Sequence, residues 1–334
     1  LMAGVDQFGG NNDAGPVIEA YAMGVREHGE EFMRARFEAS AVRLLRNMFR
    51  TGLFENPYLD ADETAQTVGN PAFMRAGYEA QLKSLVLVKN RNDVLPLARG
   101  TAVYVPQRQV PARTDFFGNL TPARTEDPID VAIAGRYVTV TDDPDAADAA
   151  LVVITEPGGS GGFRMQQYGP YTATHARATS VAGGDPLETF TNRSYRGKTV
   201  TTANASDLQV VLDTRAAMPG KPVIVVLHTS RPTVVAEFEP SVDAFLVSFG
   251  VQDQALMDIL TGAAEPSGLL PLQMPAHMRT VEEQAEDIPL DMEPHVDAAG
   301  NAYDFAFGMN WSGVIDDART ARYGRARSAA ERTP

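Results

Sequence analysis

Residues 248–275, with the apolar run Ala244–Phe249 that leads into them, constrain the fold of this chain more than any other stretch of its sequence. An apolar run ends at Gly250, and apolar residues at helical spacing follow over Gln252–Leu260. A turn at residues 266–268 (Pro-Ser-Gly) then leads into a second apolar run, Leu269–Gln273, which predicts a strand. This order predicts a unit in which buried strands alternate with a helix.

Strand and helix signals alternate in the same way through most of the chain after residue 79. Helices are predicted between several strands, notably over Leu208–Met218. Continuous apolar strands separated by helices are typical of a mostly parallel sheet that is covered on both faces, so we expect an α/β fold. The predicted strands are Leu85–Val88, Ala102–Val105, Tyr137–Val140, Ala150–Ile154, Val223–Leu227 and Ala244–Val247.

The first 58 residues are predicted to be largely helical. Phe37–Phe49 has the clearest amphipathic pattern in the sequence, and Gly52 ends that helix. The small, acidic segment Asp60–Thr67 predicts an exposed connection, and Pro71 opens a further helix. The apolar face of the Phe37–Phe49 helix consists of Ala41, Leu44, Leu45, Met48 and Phe49.

Composition excludes several classes of function. The formal net charge of −14 disfavours nucleic acid and anionic membrane surfaces as partners. Cysteine is absent, which excludes disulfides and thiol catalysis but leaves the compartment open. No apolar run approaches the roughly 20 residues that span a bilayer. The chain begins at Leu1 within what reads as an element, so we expect a processed or missing front end.

No cofactor or metal is expected from the motifs. The histidines are scattered, without the spacing typical of a zinc site, and His228 is predicted to be a satisfied histidine at the edge of the core. The glycine-rich stretch 158–162 lacks the GxGxxG spacing of a dinucleotide-binding loop.

Several motifs in this order resemble family 3 glycoside hydrolases. Residues 248–275 resemble the hallmark of that family's second domain, and Glu79–Leu97 is similar to the segment that opens it. Ala3–Asp6 and Ser40–Tyr58 resemble parts of the family's barrel domain, namely the segment after the nucleophile strand and the last helix with its exit. Tyr303–Gly313 resembles the family's near-terminal motif.

The resemblance implies a fold and a domain organisation. The expected fold is a three-layer α/β/α sandwich with a mostly parallel sheet, preceded by helices from the end of a TIM-like barrel. Residues 1–58 would be the tail of the barrel and 59–78 a linker. Residues 79–320 would form the sandwich, and 321–334 a polar tail.

The resemblance also implies a retaining β-glycosidase that acts on terminal β-glucosyl residues. Such enzymes use a carboxylate nucleophile and a carboxyl acid/base about 5–5.5 Å apart. The family's nucleophile lies in a Ser-Asp-Trp-like motif, which this chain lacks; Trp311 is its one tryptophan. We therefore expect a barrel segment of the same protein, or a second chain, to supply the nucleophile.

The acid/base is expected in the long loop 155–206. The family's glutamate stands in a glycine-rich context after a sandwich strand, but the corresponding position here is Ser160. Glu188 and Glu156 are the candidate catalytic residues. We favour Glu188 because it lies far enough into the loop to reach a barrel, whereas Glu156 alternatively anchors the turn; either glutamate could also be a solvated loop residue.

Asp6, Tyr168 and Tyr195 are the candidate substrate-binding residues. Asp6 would contact sugar hydroxyls, the alternative being capping of the helix at Pro16. The two tyrosines would stack on a sugar ring, unless they are packing anchors. The expected ligand is a β-linked glucoside or short oligosaccharide, a homodimer is left open, and a periplasmic or secreted location is favoured. The alternative function is a non-catalytic carbohydrate-binding or scaffolding module.

Overall fold

The computed structural model describes residues 1–9, 12–114, 118–157, 179–181, 199–201, 204–277, 280–281 and 288–322. The chain divides into two compact units, Leu1–Met74 and Arg75–Pro334. The first unit is helical, and the second is built on a mixed β-sheet. Among the helices of the described residues, none has the length and apolar character needed to cross a bilayer.

The first unit contains a pair of packed helices. Helix α1 (Gly15–His28) and helix α2 (Glu30–Arg50) meet at Gly29, and the fully buried Met33 of α2 packs against Gly24 of α1. Tyr21 and Phe37 add an edge-to-face ring contact with centroids 5.0 Å apart. Residues 41–50, which include the predicted apolar face, are all exposed.

The predicted connection at Asp60–Thr67 instead contains a short helix, α3 (Ala61–Thr67). Oδ1 of Asp60 accepts a hydrogen bond of 2.8 Å from the backbone N–H of Glu63, which satisfies one of the free donors at the start of the helix. Every residue of α3 is exposed, as predicted, but the sequence did not predict that this connection contains a helix.

The second unit is built on strands and helices that mostly match the predicted segments. Its helices are α4 (Pro71–Ser84), α5 (Val131–Ala134), α6 (Ser206–Ala217) and α7 (Asp253–Leu260), of which α4 begins just before the unit boundary. Its strands are β1 (Val86–Asn90), β2 (Ala102–Tyr104), β3 (Arg108–Val110), β4 (Arg113–Thr114), β5 (Leu120–Thr121), β6 (Arg124–Glu126), β7 (Thr139–Thr141), β8 (Ala149–Thr155), β9 (Thr179–Val181), β10 (Thr199–Thr201), β11 (Val223–His228), β12 (Ala244–Ser248), β13 (Met309–Asn310) and β14 (Gly313–Val314).

The main sheet has eight strands within the described residues, in the order β14-β13-β1-β12-β11-β8-β2-β7. Strands β7, β2, β8, β11 and β12 run parallel, and β1, β13 and β14 add an antiparallel edge. The strand order reverses between β2 and β8, which makes that gap the topological switch point of the sheet.

Each face of the sheet carries its own hydrophobic core. On one face, Leu151 and Val226 pack with Leu256 of α7, Ala134 of α5 and Leu82 of α4. On the other face, the sheet packs against α6 through Val211 and against C-terminal residues such as Met274 and Tyr303. The predicted α/β sandwich is confirmed.

The predicted strand Leu269–Gln273 is wrong. Pro271 has no backbone N–H, so the segment cannot form a continuous ladder. Leu270 alone pairs with the near-terminal motif, donating its N–H to the carbonyl of Phe307 at 2.7 Å and accepting from the N–H of Ala306 at 2.8 Å. The strands that extend the sheet here are β13 and β14, through the pairing of Met309 with Leu87.

Two glycines explain why the Pro-Ser-Gly turn and the near-terminal motif occur together. A Cβ on Gly268 would lie 2.9 Å from the carbonyl carbon of Leu85 and closer still to its oxygen. A Cβ on Gly308 would in turn overlap the carbonyl oxygen of Gly268. The two motifs and the start of β1 therefore meet backbone to backbone, an approach that only glycine permits.

A buried charged cluster lies away from the carboxyl ends of the parallel strands. Lys89 of β1 donates from Nζ to a carboxylate oxygen of Glu239, whose other oxygen is 3.1 Å from Nε2 of His295. Lys89 pairs in register with Phe245, near the amino end of β12. Burial alone would raise the pKa of Glu239, but hydrogen bonds from His295 and Lys89 outweigh burial and lower the pKa to about 2.

Candidate functional site

The candidate site is the edge of the sheet at which the parallel strands end. Ligands of open α/β sheets bind outside the carboxyl ends of the strands, at the switch point. Here that point lies between β2, which leads to Arg108, and β8, which ends at Thr155 and continues into Glu156. His228 ends the neighbouring strand β11, in register with Thr155.

Asp207 and Arg108 form a buried ion pair across this edge. Nε of Arg108 donates to both carboxylate oxygens of Asp207, at 2.8 and 3.0 Å, and Nη2 of Arg108 donates to the hydroxyl of Thr155. The backbone N–H of Thr155 also donates to Asp207, at 3.1 Å. Asp207 lies in the first turn of α6, where the helix dipole favours a negative charge.

Asn204 connects the same strand end to the start of α6. Its Nδ2 lies 3.3 Å from the backbone carbonyl of Thr155, 3.0 Å from the carbonyl of Glu156 and 3.0 Å from a carboxylate oxygen of Asp207. The two ends of the loop 155–206 are therefore held together by side chains for which the sequence predicted no such role. The signal that could have revealed them is an asparagine and an aspartate within the four residues before the predicted helix 208–218, where such side chains favour a helix start.

The carboxylate of Glu156 is held by hydrogen bonds from three successive residues. It accepts hydrogen bonds from the hydroxyl of Thr229 at 2.9 Å, the N–H of Ser230 at 2.6 Å and Nε of Arg231 at 3.0 Å. Burial alone would raise the pKa of Glu156, but the bonds from Ser230 and Arg231 outweigh burial and hold the pKa below its ordinary value. A general acid needs a raised pKa, so this geometry favours the anchoring role.

Glu188, Tyr168 and Tyr195 lie outside the described residues. Their catalytic and substrate-binding roles stay predictions. The structure does describe β9 and β10, which pair antiparallel with Ser180 opposite Val200, and Glu188 falls in the connection between them. The long loop predicted over 155–206 therefore contains two short strands.

Asp6 lies in the first unit, where it joins the N-terminal segment to α2. It accepts hydrogen bonds from the hydroxyl of Ser40 at 2.7 Å and from Nη1 of Arg36 and of Arg43, each at 3.0 Å. The hydrogen bonds from Ser40 and Arg36 lower the pKa of Asp6 to about 2. Asp6 does not cap α1; the side chain that accepts from the N–H of Gly15, the first residue of this helix, is that of Asp13. A role of Asp6 in binding sugar stays a prediction.

His228 differs from the satisfied core-edge histidine that the sequence predicts. Its Nδ1 is buried and has no hydrogen-bond partner among the described residues. Burial lowers the pKa of His228, which favours the neutral ring. Across the part of the chain that the structure describes, no group of three or more metal-ligating side chains comes together.

Known proteins resemble this chain over most of its length. It is 29% identical over 308 residues to "Probable beta-glucosidase C" of Aspergillus flavus, an alignment that covers 92% of this chain and 40% of that protein. It is 27% identical over 309 residues to "Periplasmic beta-glucosidase/beta-xylosidase" of Dickeya chrysanthemi, covering 92% of this chain and 38% of that protein. The chain thus spans well under half the length of these curated relatives.

Solved structures support the fold. A β-glucosidase from Listeria innocua in complex with glucose matches with a TM-score of 0.50 and 20% identity, covering 92% of this chain and 42% of that one. A mutant exo-1,3/1,4-β-glucanase from a Pseudoalteromonas species matches with a TM-score of 0.50 and 18% identity, covering 90% of this chain and 46% of that one. Residues 85–311, more than half of the chain, match the model of the glycosyl hydrolase family 3 C-terminal domain. This chain therefore belongs to glycoside hydrolase family 3 and carries the C-terminal domain of that family.

Proposed function

We propose that this chain is part of a retaining β-glycosidase that hydrolyses terminal β-glucosyl residues. The observation that carries the proposal is the family 3 C-terminal domain over residues 85–311. Relatives named β-glucosidase and β-glucosidase/β-xylosidase support a β-linked glucoside or short oligosaccharide as substrate. Two relatives named periplasmic support a periplasmic or secreted location.

The uncovered apolar face of α2 supports completion of the enzyme by a barrel segment. Leu44, Leu45 and Met48 are 40–42% exposed on this helix, and Phe49 is 60% exposed. Contiguous exposed apolar surface marks a place where another folded element packs. Because Ser40–Tyr58, which includes the second half of α2, resembles the last helix and exit of the family's barrel, the partner we propose is the rest of that barrel, from the same protein or a second chain.

The proposed reaction is a double displacement with retention. A carboxylate of the barrel segment attacks the anomeric carbon while the acid/base protonates the glycosidic oxygen, and the alcohol leaves. The acid/base, now ionised, removes a proton from water as the water oxygen attacks the same carbon and releases the barrel carboxylate. We assign the acid/base role to Glu188, because the hydrogen bonds of Glu156 hold the pKa of that carboxyl below its ordinary value, whereas a general acid needs a raised pKa.

A chromogenic β-glucoside assay of the chain, alone and mixed with the barrel segment of a family 3 relative, tests the proposal. We expect turnover only in the mixture, because the nucleophile is assigned to the barrel. Turnover by the lone chain would contradict the proposal that the nucleophile lies on a separate barrel segment. Sugar binding without turnover in every mixture would favour the non-catalytic carbohydrate-binding or scaffolding module instead.

The acid/base assignment predicts a large effect of Glu188→Gln. A glutamine keeps the size of the side chain but cannot transfer the proton, so kcat for a glucoside with a poor leaving group should fall about 10²–10⁴-fold in the complemented enzyme. Glu265→Gln, at an exposed residue, serves as the matched control and should leave kcat unchanged. Full activity of the Glu188→Gln enzyme would remove Glu188 from the mechanism.

A further inference from the structure

We infer that Asn204 and Asp207 are positioning residues, which hold the end of β8 and the start of α6 together at the two ends of the segment 157–203. The inference rests on the proposed function, since Glu188 lies within that segment. Thr155 and Asn204 are 49 positions apart in the chain, yet their side chains are 3.1 Å apart. Their contact fixes the ends of the segment relative to each other.

The side-chain amide of Asn204 donates hydrogen bonds to backbone atoms at the end of β8. Two of its acceptors are the carbonyl oxygens of Thr155 and Glu156, the last residue of β8 and the residue after it. Asn204 is only 5% exposed, so its amide donors depend on these partners. Because these hydrogen bonds are made to main-chain atoms, they fix the direction of the backbone at the end of β8.

Asp207 links Asn204 to residues on both sides of the switch point between β2 and β8. Its carboxylate accepts from Asn204 at 3.0 Å, from the N–H of Thr155 at 3.1 Å and from Arg108, which follows β2. The Asp207 side chain is 3% exposed, and a buried carboxylate must be paired. The start of α6 is thereby fixed to the end of β8 and to the first residue of β3.

Glu156 completes the arrangement from the other side. Its carbonyl accepts from Asn204, while its carboxylate is held by residues 229–231 after β11. The outgoing chain is therefore held at two successive residues by two different elements. A catalytic group that is displaced by about 1 Å loses on the order of 10²-fold in rate, so fixed loop ends matter for an acid/base carried between them.

The test compares leaving groups in the complemented enzyme. Phenyl β-glucoside needs a proton on its leaving group, whereas 2,4-dinitrophenyl β-glucoside does not. We expect Asn204→Ala to lower kcat/KM for the phenyl glucoside about tenfold or more and to change the dinitrophenyl rate less than about twofold. The matched control is Asn90→Ala, which removes two hydrogen bonds to Leu95 away from this edge and should affect both substrates equally.

Hydrogen exchange in the same variants separates this inference from the proposed function. We expect the amides of Thr155 and Glu156 to exchange faster in Asn204→Ala than in wild type or Asn90→Ala. Thr155→Val, which removes one hydroxyl partner of the asparagine, is the milder variant if Asn204→Ala does not fold. Unchanged exchange at these amides would overturn the inference, as would an equal fall for both substrates.

An inactive wild-type mixture, or Glu188→Gln with unchanged rates on both substrates, would instead refute the proposed function. The positioning role would then be overturned with it, because no acid/base would remain for Asn204 and Asp207 to position. The exchange rates of Thr155 and Glu156 would still report whether Asn204 holds the two ends together, so the two failures are distinguishable.

Discussion

Gly268→Ala is expected to lower the free energy of unfolding of the second unit by about 3 kcal/mol, because inserting a methyl group into a filled site forces the backbone apart. The new Cβ would overlap the carbonyl of Leu85, which is main chain and cannot rotate away. The shift would also disturb Gly308, whose Cα faces the carbonyl oxygen of Gly268. The start of β1 and the near-terminal motif would therefore both be displaced.

The matched control for this substitution is Gly77→Ala. Gly77 lies inside α4 with no atom within 4 Å of an added Cβ, so alanine there should stabilise the protein by up to about 1 kcal/mol. Urea denaturation of both variants measures the difference. Equal stability of Gly268→Ala and wild type would show that the close approach of the two motifs is not required.

Glu239→Gln is expected to lower the free energy of unfolding by about 3 kcal/mol or more, because removing one partner of a buried ion pair leaves the other charge without compensation. The charge left behind is the ammonium group of Lys89, whose side chain is 11% exposed. The same substitution weakens the contacts that Glu239 makes with His295 and with the hydroxyl of Tyr303.

The double variant Glu239→Gln/Lys89→Met tests the cause of this loss. Methionine removes the buried ammonium group, so the double variant should be more stable than Glu239→Gln alone. Glu265→Gln again provides the exposed control and should stay close to wild type. A double variant that is less stable than either single variant would contradict the explanation from an uncompensated charge.

The Glu239 cluster also predicts acid sensitivity. The pKa of Glu239 is lowered to about 2 in the folded chain from an ordinary value of 4.5. A group with a lowered folded pKa contributes stability that is fully present above its unfolded pKa and is lost as the pH falls toward its folded pKa. Between pH 4.5 and pH 2, wild type should therefore lose stability more steeply than Glu239→Gln, as measured by urea denaturation at each pH.

Most of the fold could be predicted because it depends on local patterns. Each of the six predicted strands before residue 248 overlaps an observed strand of the main sheet, and the helix predicted at Gln252–Leu260 is observed as α7. The failures occurred where local pattern was a poor guide. Leu269–Gln273 has the apolar character of a strand, but Pro271 interrupts its hydrogen bonding. The short strand β13 depends on a partner, Leu87, that is remote in sequence.

The candidate site was much less accessible to prediction. Glu156 was identified by its place after a strand, but only the positions of Ser230 and Arg231 show that its carboxylate accepts hydrogen bonds from both of them. No motif at Asn204 or Asp207 pointed to this role, because what distinguishes the two residues is their contact with the end of β8.

The sequence by itself determined the family, the α/β sandwich and the boundaries of most buried elements. Periodicity, turn residues and motif order are local properties, and local properties can be read along one chain. Only the tertiary structure decided how Gly268 and Gly308 meet, how Glu239 is neutralised and how Asn204 joins the ends of a long loop. Each of these depends on which distant residues share one small volume, and that is set by packing of the whole unit.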